Sequence, residues 1–201
     1  AATVIKNLEK RQMEGYYCPT VEDAEKLAFS FLKDGQTVSF GGSMTLEETG
    51  MLTALRHDPS IHLIDRSTAK TPDETKKMYH DALSSDVYFM STNAITTGGE
   101  LVNIDGTGNR VAALIYGPET VVILAGMNKI AANVDEALSR VHNVATAQNC
   151  IRLDKKTPCA ITGACADCLS PDCICNQVVI TRRSGIKGRI KVLLIGESFG
   201  Y

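Results

Sequence analysis

No apolar run in this 201-residue chain approaches the ~20 residues needed to cross a bilayer. The longest strongly apolar stretches, Thr120–Ala125 and Val192–Ile195, have the length of strands. Neither sign of charge dominates: 21 Lys and Arg stand against 23 Asp and Glu, a net of −2. That balance argues against broad electrostatic attraction to nucleic acid or to an anionic membrane. The chain has no Walker-type Gly-Lys-Ser/Thr loop and no G-x-G-x-x-G turn, so no signature of a nucleotide cofactor. Internal repeats and low-complexity segments are absent. The four histidines, His57, His62, His80 and His142, do not cluster. No export signal opens these residues, and the first is Ala rather than Met. A reducing cytoplasm is the expected compartment.

What the chain does carry is cysteine. Of seven, five fall between Cys159 and Cys175, while Cys18 and Cys150 stand alone. In a reducing compartment such a cluster points to metal or redox chemistry rather than to structural disulfides.

Elsewhere, apolar strand-like runs alternate with helical patterns. Residues 3–14 carry Val4, Ile5 and Leu8 at helical spacing. Thr20 and Asp23 predict a helix start, and Asp34-Gly35 its end. Strands are predicted at Thr37–Phe40, Ile61–Ile64, Asp86–Met90, Thr120–Ala125, Asn176–Thr181 and Arg189–Ile195. Thr45 with Glu48, Thr71-Pro72 with Glu74, and Asn133 with Glu136 each predict a capped helix. The last of these runs to about Val144. The pattern is that of βαβ units: an α/β domain with a mostly parallel sheet flanked by helices. A single domain spanning 1–201 is expected, with a cysteine-rich loop insert at about 154–176.

Two polar, glycine-containing segments follow predicted strands, where open α/β sheets bind ligands. Gly41-Gly42-Ser43-Met44-Thr45 can present backbone N–H groups and hydroxyls to an anion, or serve simply as a capped βα turn. The stretch from Ser91 to Val111 holds Asn93, Glu100, Asn103, Asp105, Asn109 and Arg110. Glu100 or Asp105 is a candidate base or nucleophile, and Arg110 a candidate partner for a carboxylate or phosphate. The alternative is a pair of β-turns in which Arg110 pairs structurally with Asp105. Lys129 follows the strand Thr120–Ala125 and either reaches the same strand-end face or simply opens a helix.

The cysteine spacing is C-x5-C-x2-C-x4-C-x-C, from Cys159 to Cys175. Four thiolates close a tetrahedral zinc site or hold an iron–sulfur cluster, although the spacing is not that of a two-cluster ferredoxin. Free thiols are the alternative.

Several segments together resemble the lactate-utilisation (LUD) domain family. They are FGGSMTLEETG at 40–50, MSTNAITTGGELVNIDGTGNRVAALIYGP at 90–118, AGMNKI at 125–130, KKTPCAITGACADC at 155–168, SPDCICN at 170–176 and RIKVLLIGESFGY at 189–201. The resemblance is to the single-domain form. It implies a fold similar to ribose-5-phosphate isomerase, glucosamine-6-phosphate deaminase and the CoA transferases. It also implies that Gly41, Gly42, Ser43, Thr45, Asn93, Asn103, Asn109 and Arg110 line one pocket. The implied ligand is a small anion: an organic acid, a CoA ester or a phosphorylated metabolite. By the same resemblance Cys159, Cys165, Cys168 and Cys175 are the metal ligands, with Cys173 spare, and the metal is zinc or an iron–sulfur cluster. The alternative role is a non-catalytic redox or assembly subunit of an iron–sulfur lactate-oxidising complex. Candidate partners are other lactate-oxidation subunits and a second copy of the chain, as a homodimer.

Overall fold

The computed structural model describes residues 1–201. Six strands are β1 (Glu14–Cys18), β2 (Thr37–Phe40), β3 (His62–Ile64), β4 (Val87–Met90), β7 (Thr120–Gly126) and β10 (Ile190–Ile195). They form one fully parallel sheet in the order β1-β10-β7-β4-β2-β3. The middle strands β4, β7 and β10 are apolar at most positions because both faces are covered. On one face Val121, Ile123 and Val192 pack against Val4 and Leu8 of α1 (Ala2–Lys10), Ala82 of α5 (Pro72–Leu83) and Leu114 of α6 (Asn109–Ile115). On the other, Val122, Leu124 and Leu193 meet Ala24 and Ala28 of α2 (Val21–Phe29), Leu46 of α3 (Met44–Glu48) and Leu55 of α4 (Met51–His57). Each fully buried aliphatic side chain contributes roughly 1.5–3 kcal/mol. No helix is long and apolar enough to cross a membrane.

A second, mixed sheet holds β5 (Ala94–Thr96), β6 (Leu101–Asp105), β8 (Ile130–Ala131) and β9 (Gln177–Thr181), in the order β8-β5-β6-β9. Ala94, Val102 and Ala131 seat it on Ala137 of α7 (Val134–Arg140). Residues 91–111 are therefore not the polar loop expected from their glycines and asparagines. They form a β-hairpin and a helix start, with the glycines confined to the turns. The polar side chains on β6 are held in a buried strand because one buried arginine, described below, donates to the Asn103 Oδ1 and pairs with Asp105.

Other expectations are corrected as well. The two strands expected to close the fold lie in different sheets: β10 is central in the parallel sheet, and β9 is an edge of the mixed one. The first helix ends at Lys10, short of the helical pattern's end at residue 14, and Gly15 lies in edge strand β1. A side chain at Gly15 would sit 3.0 Å from the Ile5 Cα, so glycine permits α1 to pack closely there. Ser43, not Thr45, caps α3, its hydroxyl accepting the Leu46 N–H at 3.3 Å. Gly50, at φ 73°, then separates α3 from α4. The helix after Asn133 continues beyond Val144 through a π-helical turn, Val141–Thr146, into α8 (Ala147–Arg152). Segment 154–176 is irregular apart from α9 (Pro158–Thr162).

Candidate functional site

The carboxyl ends of β2, β4 and β7 open on one side of the parallel sheet. An inner cavity of about 70 Å³ lies there, lined by Gly42, Ser43, Ser91, Asn93, Lys129 and Tyr201, among others. It continues into a shallower cleft of about 310 Å³ that adds Arg66, Tyr79, Asp105 and Asn109. Arg152 of α8 borders both spaces.

Lys129 forms the floor. A short 3-10 turn, Met127–Lys129, turns the chain back after β7 and places the side chain inside, 3% exposed. Its Nζ donates to the Thr45 hydroxyl at 2.8 Å and to the Ser91 hydroxyl at 3.1 Å. Those hydroxyls donate in turn to the carbonyls of Phe199 and Thr92. Both can therefore only accept from Lys129. Burial, with Arg140 and Arg110 nearby and only Glu48 opposing, pulls the Lys129 ammonium down to about 7. Of the two readings open for this lysine in the sequence, the structure selects the strand-end face.

The polar segment after β4 serves a different purpose. All five N–H groups of Arg110 are committed to the protein. Nη1 donates to the Ser91 carbonyl at 3.0 Å and to Asn103 Oδ1 at 2.6 Å. Nη2 donates to Asn93 Oδ1 at 2.9 Å and to the Ile104 carbonyl at 2.7 Å. Nε faces Asp105 Oδ2 at 3.3 Å. Asp105 also accepts the Gly108 N–H, and Asn93 accepts that of Ile104. Burial lowers the Arg110 guanidinium, and Asp105 pulls it back up. Arg110 thus clamps β4, β6 and α6 together, with no donor left for a ligand. A side chain at Gly41 would lie 3.0 Å from its Cγ.

Glu100 is not near this cavity. It sits before β6, at the opposite end of the strand from Asp105, about 17 Å away along the chain. There it is bound to Arg11 and the Thr96 hydroxyl, contacts that pull its carboxyl below the usual range against the opposing effect of burial. Of the residues expected to share one pocket, Gly42, Ser43, Asn93, Asn109 and Arg110, with Asp105, line the cavity and its cleft, whereas Gly41, Thr45 and Asn103 are buried behind it. Asn93, Asp105 and Arg110 form one wall of it.

The cysteine segment folds against α8 and the π-helical turn. A second cavity, of about 490 Å³, is lined by Cys150, Cys159, Cys165, Cys168, Cys173 and Cys175, together with His142. Cys150 and Cys159 Sγ are 3.7 Å apart, Cys173 and Cys175 Sγ 3.0 Å, and Cys165 Sγ lies 3.6 Å from His142 Nδ1. Burial, and then its neighbour Cys173, push the Cys175 thiol up to about 12. Cys150, which stands alone in sequence, belongs to this group through α8. Cys173, expected to be spare, also lines the cavity. Cys18 is buried in the core beneath α2, remote from the other six.

The family model described as LUD domain matches residues 1–195. The chain belongs to the LUD domain family. No curated protein matches the sequence. Among solved structures, this LUD domain is similar to a DUF162 family protein from Deinococcus radiodurans, with a TM-score of 0.54 and 13% identity over 97% of this chain and 98% of that one. Partial likenesses extend to eIF2B delta from Chaetomium thermophilum, with a TM-score of 0.38 and 19% identity over 60% and 51% of the two chains. They extend also to ribose 5-phosphate isomerase A from Methanocaldococcus jannaschii, with a TM-score of 0.35 and 19% identity over 56% and 54%.

The LUD domain's thiols suit a soft metal. No three metal-binding side chains converge on one point. The six sulfurs instead stand around the wall of a space far larger than one ion. Their donor chemistry is of the kind found both in tetrahedral zinc sites and in iron–sulfur centres.

Proposed function

We propose that this LUD domain is a lactate-utilisation-type protein that binds a small organic anion in the cavity above Lys129. The observation that carries the reading is the placement of a buried lysine amine, two hydroxyls and the Gly42-Ser43 backbone where three parallel strands end. Arg152 and Arg66 at the cleft supply positive charge, and each keeps donors beyond its single side-chain partner, Asn149 and Tyr79 respectively. The inner space holds only a small headgroup, so an organic acid fits it whole. A CoA ester or phosphorylated metabolite would extend along the outer cleft. A thermal-shift screen with lactate, pyruvate, acetyl-CoA and ribose 5-phosphate tests the reading. Stabilisation by at least one of them is expected, and flat curves for all of them with folded protein would reject it.

A second role is favoured by the six-thiol cavity: a redox or assembly function in an iron–sulfur lactate-oxidising complex. When bound there, an iron–sulfur centre supplies one-electron transfer. Cys159, Cys165, Cys168 and Cys175, with Cys150 and Cys173 beside them, would hold it, and His142 borders the same space. Metal and sulfide analysis of anaerobically purified protein tests this role. Iron with acid-labile sulfide supports it, zinc alone makes the loop a structural staple, and metal-free thiols reject both.

A further inference from the structure

The inner cavity carries a second consequence, which rests on the anion reading above. Lys129 has two hydrogen-bond acceptors, the hydroxyls of Thr45 and Ser91, and no carboxylate among its partners. Because both hydroxyls donate to backbone carbonyls, neither has a hydrogen to donate to the amine's lone pair. A neutral –NH2 group is fully satisfied by this arrangement: two N–H groups, two acceptors, one lone pair left over. An ammonium carries a third N–H. The charged groups facing it are Arg140 on α7, Arg110 on α6 and Glu48 on α3, so cations outnumber anions around it. Glu48 is itself engaged, accepting the Gly200 N–H at 2.6 Å.

Lys129 lines the cavity and so has access to what enters it. Tyr201 lines the same space, and its hydroxyl is buried without a partner. Arg152 adds a cation with unused donors at the same cavity. An uncharged amine at the floor, a hydroxyl on the wall and a guanidinium at the mouth form a set suited to a molecule with a carbonyl next to a carboxylate.

We propose that Lys129 is a nucleophilic amine that condenses with the carbonyl carbon of a small 2-oxo acid, holding it as an imine in the inner cavity. The Nζ lone pair forms the new N–C bond as the carbonyl π bond breaks. The two amine hydrogens leave with the carbonyl oxygen as water, and a C=N bond remains. No electrons are transferred and no further reactant is needed. Tyr201 is placed to pass a proton to the departing oxygen. Thr45 and Ser91 are positioning residues that aim the amine.

The test uses the intact protein, pyruvate as the probe and lactate as the control that has the carboxylate but no carbonyl. Melting curves are recorded with each, and parallel samples are treated with cyanoborohydride and mapped by peptide mass spectrometry. The expected result is stabilisation by pyruvate and a single reduced pyruvyl adduct on the Lys129 peptide, with no adduct from lactate. Adduct yield should rise as pH is raised through about 7, where the amine loses its proton. Mapping locates the adduct in wild-type protein, so the result does not depend on a variant folding. Stabilisation by pyruvate without an adduct at Lys129 overturns the imine and leaves the anion site standing. An adduct spread over exposed lysines with no stabilisation overturns both.

Discussion

The amine of Lys129 lies 2.8 Å from the hydroxyl oxygen of Thr45, across 84 residues of sequence. This contact joins the end of β7 to the first turn of α3 and sets the floor of the cavity. Thr45→Val keeps the shape and removes the acceptor. A buried N–H is then left with one partner fewer, at a cost of about 1–3 kcal/mol. Urea melts of the variant should show a lower midpoint with an unchanged slope.

The titration of Lys129 makes a pH prediction with a definite sign. Its folded value, about 7, lies below the ordinary lysine value near 10.4. Between those limits the unfolded chain binds a proton that the folded chain has shed, so the lysine's contribution to stability rises with pH. The penalty of burying it is full below about pH 7 and gone above the ordinary lysine range. The slope reaches about 1.4 kcal/mol per pH unit inside the window. The unfolding free energy of wild type minus that of Lys129→Met should therefore rise from about pH 7 to pH 9, and a flat or falling difference would contradict it.

Arg110 is predicted to be structural. Arg110→Met strands Asp105 and removes the donors to the side-chain oxygens of Asn93 and Asn103 and to two backbone carbonyls. Breaking such a buried cluster costs about 3–5 kcal/mol. Arg110→Lys should be nearly as damaging, because an ammonium has three donors where the site uses five. Thermal melts of the two variants would separate this role from ligand binding, since a ligand-pairing arginine would lower affinity with little loss of stability.

Glu100→Gln is the complementary case. Its carboxylate pairs with Arg11 and Thr96 far from the cavity, so the change should cost no more than about 1–2 kcal/mol. Any ligand found in the thermal-shift screen should bind this variant as it binds wild type.

For the cysteine cavity, the position of Cys150 on α8 gives a clean contrast. In anaerobically purified protein, Cys150→Ala should lower the bound metal content, while Cys18→Ala, in the separate core beneath α2, should leave it unchanged. Equal metal content in all three proteins would exclude Cys150 as a ligand.

Much of the parallel sheet was legible in the sequence because its strands are buried on both faces and read as unbroken apolar runs. Val121–Ala125 and Val192–Ile195 are the plainest examples. The mixed sheet was not legible. Leu101–Asp105 carries Asn103 in the middle and Asp105 at the end of a buried strand, and only the Arg110 clamp makes that tolerable. Pattern reading sees such polar residues as loop or ligand site. For the same reason it left Arg110 open between a substrate partner and a structural partner of Asp105, and the pairing with Asp105 is the one found. Lys129 gave the opposite signal: a lysine just past a strand looks ordinary, and its burial depends on Thr45 and Ser91, which are distant in sequence. Cys150 joined the thiol group through a helix whose π-helical entry has no sequence signature.

The central claim is that the cavity over Lys129 is a site for a small organic anion. Calorimetric titration of wild type and Lys129→Met with pyruvate and lactate tests it most directly, with melting curves confirming that the variant is folded. The account predicts saturable binding at one site in wild type and at least about tenfold weaker binding, or about 1.4 kcal/mol, in the variant. Equal affinity in the two proteins would contradict it.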